Sequence, residues 1–161
     1  MINLYLSLGS NIGDRAANIH EALCRLDKAF GRSYSSLSDI IETESWGFKA
    51  EKFLNCAVLY SIPKLPGKAD CQAMDILHKI KDIEYAMGRR ENIEYDSEGN
   101  RVYHSRPIDI DILFFGPCRI DLPDLKIPHP LAQDRPFVMD PLRQIAKTSL
   151  KREFPAIFKN K

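Results

Sequence analysis

Alternation of apolar and polar residues predicts the strands of this protein. Residues 2–8 and 53–62 alternate in this way, and residues 108–115 form the clearest strand of the chain. A shorter strand is expected at residues 40–43, and residues 119–127 are expected to form a further strand or a hairpin. Several of these strands follow one another closely, which is typical of antiparallel pairing.

Helical spacing of apolar residues predicts two long helices. The first covers residues 14–30 and ends at Gly31, and the second covers residues 70–87. Each carries an apolar stripe along one side, so each is expected to pack on a sheet. Residues 136–146 are expected to form a short helix that is interrupted near Pro141, because proline lacks the donor of a helical hydrogen bond.

The order of these elements predicts an α+β fold, a ferredoxin-like α/β sandwich with a mostly antiparallel sheet and additional C-terminal elements. Residues 89–105 are charged and show no clear period. They are expected to form a long mobile loop, and loops of this length inside a compact domain are usually functional or disordered. Residues 1–161 contain no repeat or linker and are expected to form a single domain.

The balanced charge of the chain argues against polyanionic partners. The 161 residues include 23 basic and 22 acidic ones, for a formal net charge of +1. Neither a nucleic acid nor an acidic membrane surface is therefore expected to bind. The N-terminus lacks the basic flank of a signal peptide, and no apolar run approaches the roughly 20 residues that span a bilayer, so a cytoplasmic location is expected. The four cysteines have no zinc-ligand spacing and are expected to be reduced.

Two aspartates project from one face of the third long strand. Because side chains alternate along a strand, Asp109 and Asp111 share the face opposite Ile110. Two neighbouring carboxylates repel each other, and a hard divalent cation is the simplest compensation; Mg²⁺ typically takes only one or two protein carboxylates. By spacing alone, a solvated strand face beside Arg106 explains the same pair at least as well, since D-x-D is a weak motif.

Other polar residues stand in unusual settings. Glu84 lies at the edge of the apolar stripe of its helix, where it is either a surface acid or a buried acid that needs a cation or a hydrogen-bond donor. Arg89 and Arg106 flank the predicted loop, and guanidinium groups suit phosphate oxygens, although surface arginines are commoner. His129 is held between two prolines, and taken alone it favours a structural role over a functional one.

Aromatic residues cluster near loops and strand ends. Trp46 and Phe53 are of this kind, and Arg135 precedes Phe137 by two positions. Such rings usually belong to a core, but paired faces also hold flat heterocycles. The turn that contains Gly9, before the first helix, lacks the lysine and the spacing of a P-loop, so this turn is not expected to bind the nucleotide.

Five segments, taken in order, resemble the 6-hydroxymethyl-7,8-dihydropterin pyrophosphokinase family over residues 6–142. Each is unspecific alone, and their order over nearly the whole chain makes the resemblance strong. They are LSLGSN at 6–11, FLN at 53–55, Glu84 with Gly88 and Arg89, RPIDIDIL at 106–113, and IPH at 127–129 with RPF at 135–137.

The resemblance implies a ferredoxin-like core and a reaction in folate synthesis. Diphosphate would pass from ATP, with two Mg²⁺ ions as cofactors, to the hydroxymethyl group of the pterin, and the product would go to dihydropteroate synthase. A monomer is expected. The residue roles it implies are metal ligation by Asp109 and Asp111; catalysis by Arg89 and Arg106; ATP binding by Glu84, Arg89, Arg106, His129 and Arg135; and pterin binding by Thr43, Trp46, Phe53, Asn55 and Phe137.

The chain departs from the family pattern at two places. Residues 103–105 stand where a tryptophan, a glycine and a proline are often found, and Ser45 and Trp46 replace a proline and an aliphatic residue. One rival interpretation is a non-catalytic ferredoxin-like small-molecule-binding regulatory module, which leaves the acidic residues without a purpose. Another is an RNA-binding sheet, which the near-neutral charge argues against.

Overall fold

The computed structural model describes residues 1–44, 51–89, 94–102 and 106–159. The strands in this part of the chain are β1 (Ile2–Ser10), β2 (Ser36–Leu37), β3 (Ile41–Thr43), β4 (Phe53–Ile62), β5 (Glu94–Tyr95), β6 (Arg101–Val102), β7 (Asp109–Phe115), β8 (Ile120–Leu122) and β9 (Leu125–Ile127). The helices are α1 (Arg15–Phe30), α2 (Ala69–Ala86), α3 (Pro136–Ile145) and α4 (Thr148–Glu153), with a 3-10 turn at Ala132–Asp134.

The main sheet is antiparallel and has β1 at its centre. β4 pairs with one side of β1 and β7 with the other, and both β2 and β3 pair with the outer side of β4. With α1 and α2 connecting these strands, the arrangement is the predicted α+β, ferredoxin-like one. The register sets Gly9 directly opposite Asn55 on β4 and opposite Asp109 on β7, which brings residues far apart in sequence to one end of the sheet.

One face of the sheet is covered by the two long helices. α1 is capped at its N-terminus by Asp14, whose carboxylate accepts a hydrogen bond from the Ala17 N–H, and at its C-terminus by Gly31, which has a φ of 66°. The apolar stripes of both helices and the matching side of the strands form a common core, and Leu26 and Ile80 within it are fully buried. The isoleucines of β7 belong to this core, so the aspartates between them face the other way.

The opposite face of the sheet is covered by the C-terminal helices. Tyr5, Leu59 and Phe114 project from this face and pack in a second core with Leu142 of α3 and Leu150 of α4. The two cores bury both sides of β1 and β4. In the described part of the chain, no helix has the length and apolarity needed to cross a membrane.

Several short elements differ from the sequence-based expectations. α3 runs unbroken through Pro141, so the predicted interruption is wrong: Pro141 is on the buried side of the helix, where tertiary packing compensates for one missing donor. Within the predicted loop, β5 and β6 form a small hairpin whose turn is held by Asp96, which accepts hydrogen bonds from the N–H groups of Glu98 and Asn100. β2 and α4 have only two and six residues and were missed.

Candidate active site

A cleft of about 480 Å³ opens at the end of the sheet where Gly9, Asn55 and Asp109 meet. Its walls come from β1, β3, β4 and β7, the second half of α2, the β8–β9 hairpin and the segment after it, and the start of α3. All the predicted site residues that the structure describes line it: Thr43, Phe53, Asn55, Glu84, Arg89, Arg106, Asp109, Asp111, His129, Arg135 and Phe137. Trp46 lies outside the described residues.

The two aspartates of β7 form the acidic centre of the cleft. Asp109 lies opposite Gly9 and Asp111 opposite Ser7, both on the face of the sheet that carries the second core. Burial and the nearby charges of Asp109 and Glu84 raise the pKa of the Asp111 carboxyl to about 7. A carboxylate in this setting is stabilised by an added cation.

The donor set fits Mg²⁺. Among the described residues, no three acidic, histidine or cysteine side chains converge as metal ligands, so Asp109 and Asp111 would leave the remaining coordination positions to water and phosphate oxygens. That division of ligands is typical of Mg²⁺ bound with a nucleotide.

Glu84 reaches the aspartates from the other side of the sheet. Its side chain is buried, and its carboxylate accepts a hydrogen bond from the Ile110 N–H at 3.0 Å and pairs with the Arg89 guanidinium. Burial raises the pKa of the Glu84 carboxyl, while Arg89 opposes this shift. The sequence left the burial of Glu84 open, and the structure supplies both the donor and the cation that a buried acid needs.

Two arginines converge on Asp109. Arg89 lies 2.7 Å from the Asp109 carboxylate and Arg106 lies 3.2 Å from the same oxygen. Although burial lowers the pKa of Arg89, the charges of Asp109 and Glu84 raise it, so this guanidinium stays protonated. The two guanidinium groups are thus held beside the acidic centre, where phosphate oxygens bridging to a metal ion would lie.

His129 is fixed in position and in tautomer. Its main-chain N–H donates to the Leu113 carbonyl at 3.1 Å, and its Nδ1 accepts a hydrogen bond from the Leu131 N–H at 3.2 Å. Burial and the charge of Arg135 lower the pKa of the imidazole. The ring is therefore neutral at pH 7, and its Nε2 carries the hydrogen and is available as a donor.

The end of the cleft beside β3 and β4 has a flat, partly polar character. Asn55 is buried and donates from Nδ2 to the Thr43 hydroxyl at 2.6 Å. Gly9 faces this amide: a Cβ there would lie 2.8 Å from Asn55 Oδ1 and 3.4 Å from the Phe53 ring. Phe137 lines the same cleft, with the Arg135 guanidinium 5.8 Å from its ring centre.

The opposite end of the cleft was missed by the sequence analysis. It runs between α2 and the β8–β9 hairpin and is lined by Leu77, Lys81, Ile112, Leu125 and Lys126. Leu77 and Ile112 have the pattern of core residues, and nothing local marks them as site residues. Their role depends on where the β8–β9 hairpin packs, which is a tertiary property.

Comparison with known proteins gives consistent relatives. The model of the 7,8-dihydro-6-hydroxymethylpterin-pyrophosphokinase family matches residues 5–147. A 2-amino-4-hydroxy-6-hydroxymethyldihydropteridine pyrophosphokinase of Porphyromonas gingivalis is 40% identical over 148 residues, covering 91% of this chain and 92% of the relative. A protein of the same description from Aquifex aeolicus is 34% identical, covering 90% and 81%. A folate synthesis bifunctional protein of Arabidopsis thaliana is 39% identical over 89% of this chain, but only 27% of that longer relative is matched.

Proposed function

Because the chain belongs to the 7,8-dihydro-6-hydroxymethylpterin-pyrophosphokinase family, we propose that its cleft binds ATP and 6-hydroxymethyl-7,8-dihydropterin side by side and joins them at the aspartate pair. The protein is an ATP-dependent pyrophosphokinase of folate biosynthesis. It transfers diphosphate to the pterin, giving AMP and the pterin diphosphate ester.

The observation that carries the assignment is the position of the two aspartates between two unlike ends of one cleft. At one end, Asn55 and Thr43 offer hydrogen-bonding groups beside the Phe53 ring, which suits a flat heterocycle with a polar edge. At the other end, the mainly apolar arm lined by Leu77 and Ile112 suits the adenine base. The triphosphate then lies across the aspartates and arginines.

Asp109 and Asp111 would hold two Mg²⁺ ions. When bound, these ions supply Lewis-acid charge that orients the triphosphate and offsets its negative charge. Arg89, fixed between Glu84 and Asp109, and Arg106 present guanidinium groups to the phosphate oxygens. The neutral His129 donates one hydrogen bond from Nε2 to the nucleotide without adding charge, and Arg135 adds a cation on the same wall.

In the reaction, the hydroxymethyl oxygen attacks the β-phosphorus of ATP, and its proton is released to solvent water. The bond from that phosphorus to the oxygen shared with the α-phosphate breaks, and AMP leaves in line. The arginines stabilise the charge that moves onto the leaving oxygen, and the cleft walls hold both substrates in reacting geometry. No side chain is assigned the role of a general base. The rate enhancement comes from the positioning of the substrates and from electrostatic stabilisation.

The regulatory-module interpretation is not favoured. A protein that only binds an effector gives no reason for a buried Glu84 and two aspartates around one pair of arginines. The family membership also points to catalysis. The RNA-binding interpretation is not favoured either, because the chain has a net charge of +1.

The decisive measurement is AMP production from ATP and the hydroxymethyldihydropterin. We expect AMP and pterin diphosphate in equal amounts, no product in EDTA, and a fall in kcat of about 10²–10³-fold or more for Asp109→Ala and Asp111→Ala. Asp75→Ala, on the exposed side of α2, is the matched control and should keep wild-type activity. Near-wild-type AMP production by Asp109→Ala in saturating Mg²⁺ would contradict the metal assignment.

The number of metal ions needs its own measurement. With ATP held as its magnesium complex, the rate should still rise with free Mg²⁺ if a second ion binds. A rate independent of free Mg²⁺ would argue for one ion.

Four further parts of the proposal rest on the sequence and the family resemblance. They are a cytoplasmic location, a monomeric state, a single domain over residues 1–161 and delivery of the product to dihydropteroate synthase.

A further inference from the structure

Asn11 is a fully buried polar residue directly after β1. Its Oδ1 accepts a hydrogen bond from the Arg106 N–H at 2.7 Å, and its own main-chain N–H donates to the Arg106 carbonyl at 3.2 Å. Both main-chain groups of Arg106 are thus held by one residue. Asn11 and Arg106 lie 95 positions apart in the sequence, and buried polar groups are normally hydrogen-bonded. The contacts therefore indicate that Asn11 holds the Arg106 main chain in a specific position.

The contacts continue the pairing of β1 with β7 beyond its last regular pair. That pair is Gly9 with Asp109. Two residues further along, the side-chain carbonyl of Asn11 takes the place that a main-chain carbonyl would have in a strand ladder. Asparagine suits this place because its short side chain carries an uncharged carbonyl group. Glutamine has the same group on a longer side chain, and the other residue types lack it. The Arg106 backbone is therefore fixed relative to the aspartate three residues later.

Asn11 also contacts the other side of the cleft. Its Nδ2 lies 3.4 Å from the Glu51 carbonyl, two residues before Phe53 at the start of β4. The same amide therefore joins the segment that leads to the pterin end and the segment that leads to the phosphate arginine. A second buried polar residue, Ser38, makes comparable contacts elsewhere, with the Ala57 N–H and the Asp39 carbonyl, but does not line the cleft.

We propose that Asn11 is a positioning residue for phosphoryl transfer, which acts by holding Arg106 in register with Asp109. The inference rests on the proposed function, since it assumes that Arg106 contacts the triphosphate. Asn11 itself does not line the cleft and is not expected to contact either substrate. Its removal leaves the partly buried Arg106 N–H without this acceptor and frees the backbone to shift, and a displacement of about 1 Å at a catalytic group costs on the order of 100-fold in rate.

The test is a double-mutant cycle between Asn11 and Arg106. We expect Asn11→Ala to lower kcat by about 100-fold while the KM for ATP changes less than about threefold, because ground-state binding is shared among many groups. Arg106→Ala should lower kcat by about 10²–10³-fold. If Asn11 acts through Arg106, the double variant should be no slower than Arg106→Ala.

Ser38→Ala is the matched control. It removes a buried hydroxyl with two hydrogen bonds, so it reports general loosening of the sheet. It should leave kcat unchanged and should have no effect on the rate of Arg106→Ala. If Asn11→Ala does not fold, as judged by circular dichroism, Asn11→Ser takes its place in the cycle, with a smaller loss of kcat and the same lack of additivity.

Two results would overturn the inference. One is a kcat for Asn11→Ala within threefold of wild type, and the other is a double variant whose losses multiply, which would mean that Asn11 acts independently of Arg106. Failure of the proposed function is distinguishable, because in that case the wild-type protein itself would form no AMP from the two substrates.

Discussion

Hydrogen bonds to neighbouring main-chain and side-chain groups set the positions of several polar side chains in the cleft. Asn55 is oriented by Thr43, Glu84 by the Ile110 N–H and His129 by the Leu131 N–H. Each contact occupies one donor or acceptor of the side chain, so it also determines which of its groups can bind a ligand. The sequence showed which residue types were unusual, as with Glu84, but not their partners, because Ile110 and Glu84 lie 26 positions apart.

The first prediction at this scale concerns Gly9. An alanine there would place its Cβ against Asn55 Oδ1 and the Phe53 ring, so the amide must turn away from the position that recognises the pterin. We expect Gly9→Ala to raise the KM for the pterin about tenfold or more, which corresponds to the loss of roughly one hydrogen bond. The KM for ATP should stay close to the wild-type value.

Gly116→Ala is the control for this variant. Its Cβ would clash with the Ile2 side chain at 2.7 Å, and its φ is 52°, so it strains the same sheet away from the cleft. It should lower the melting temperature without changing the pterin KM. Equal effects of both variants on the pterin KM would show that Gly9 matters only for stability.

At the scale of elements, the site depends on where α2 ends against β7. α2 packs on one face of the sheet and the aspartates project from the other, yet Glu84 and Arg89 at the end of this helix reach Asp109 around the strand edge. The long elements were predicted well because their apolar periodicity extends over many residues. β2, the β5–β6 hairpin and α4 were missed because two to six residues carry too little periodicity, and α3 passes Pro141 because tertiary burial outweighs the local preference.

The link between α2 and β7 gives the second prediction. Glu84→Gln keeps an oxygen for the Ile110 N–H but loses the charge that holds Arg89. We expect kcat to fall about tenfold with little change in stability, whereas Glu84→Ala also leaves that buried N–H unpaired and lowers the free energy of unfolding by about 1–3 kcal/mol. Kinetics together with urea unfolding measure both quantities.

Asp82→Asn provides the comparison on the same helix, since it removes a charge from an exposed position. It should affect neither kcat nor unfolding. If Glu84→Gln is as active as the wild type, Arg89 does not need the Glu84 carboxylate for its position, and the proposed link between α2 and the phosphate site is wrong.

At the scale of the whole molecule, two cores share one sheet. Leu26 of α1 belongs to the core on one face and Leu142 of α3 to the core on the other, while β1 and β4 contribute side chains to both. Neither layer of helices can leave without exposing the same strands. The sequence predicted the sheet, the two long helices and a short helix at residues 136–146, but not that this helix covers the second face, because nothing local to it specifies which strands it packs against.

The third prediction follows from this shared sheet. Leu26→Ala and Leu142→Ala should each lower the free energy of unfolding by about 2–5 kcal/mol, the usual cost of a leucine-sized cavity. Both variants and the wild type should unfold in one transition, with equal calorimetric and van't Hoff enthalpies. A separate early transition in Leu142→Ala would show that the C-terminal layer melts independently of the sheet.

The position of β7 at the edge of the sheet also bears on how copies of the protein behave toward one another. The open side of an edge strand is a template for pairing with a strand of another molecule, which leads to aggregation. Here the Glu84 carboxylate occupies the Ile110 N–H and the His129 N–H occupies the Leu113 carbonyl. Glu84 and His129, which are assigned to nucleotide binding, thus also cover two main-chain groups of β7 that intermolecular strand addition would need, so solubility and catalysis depend on the same two residues.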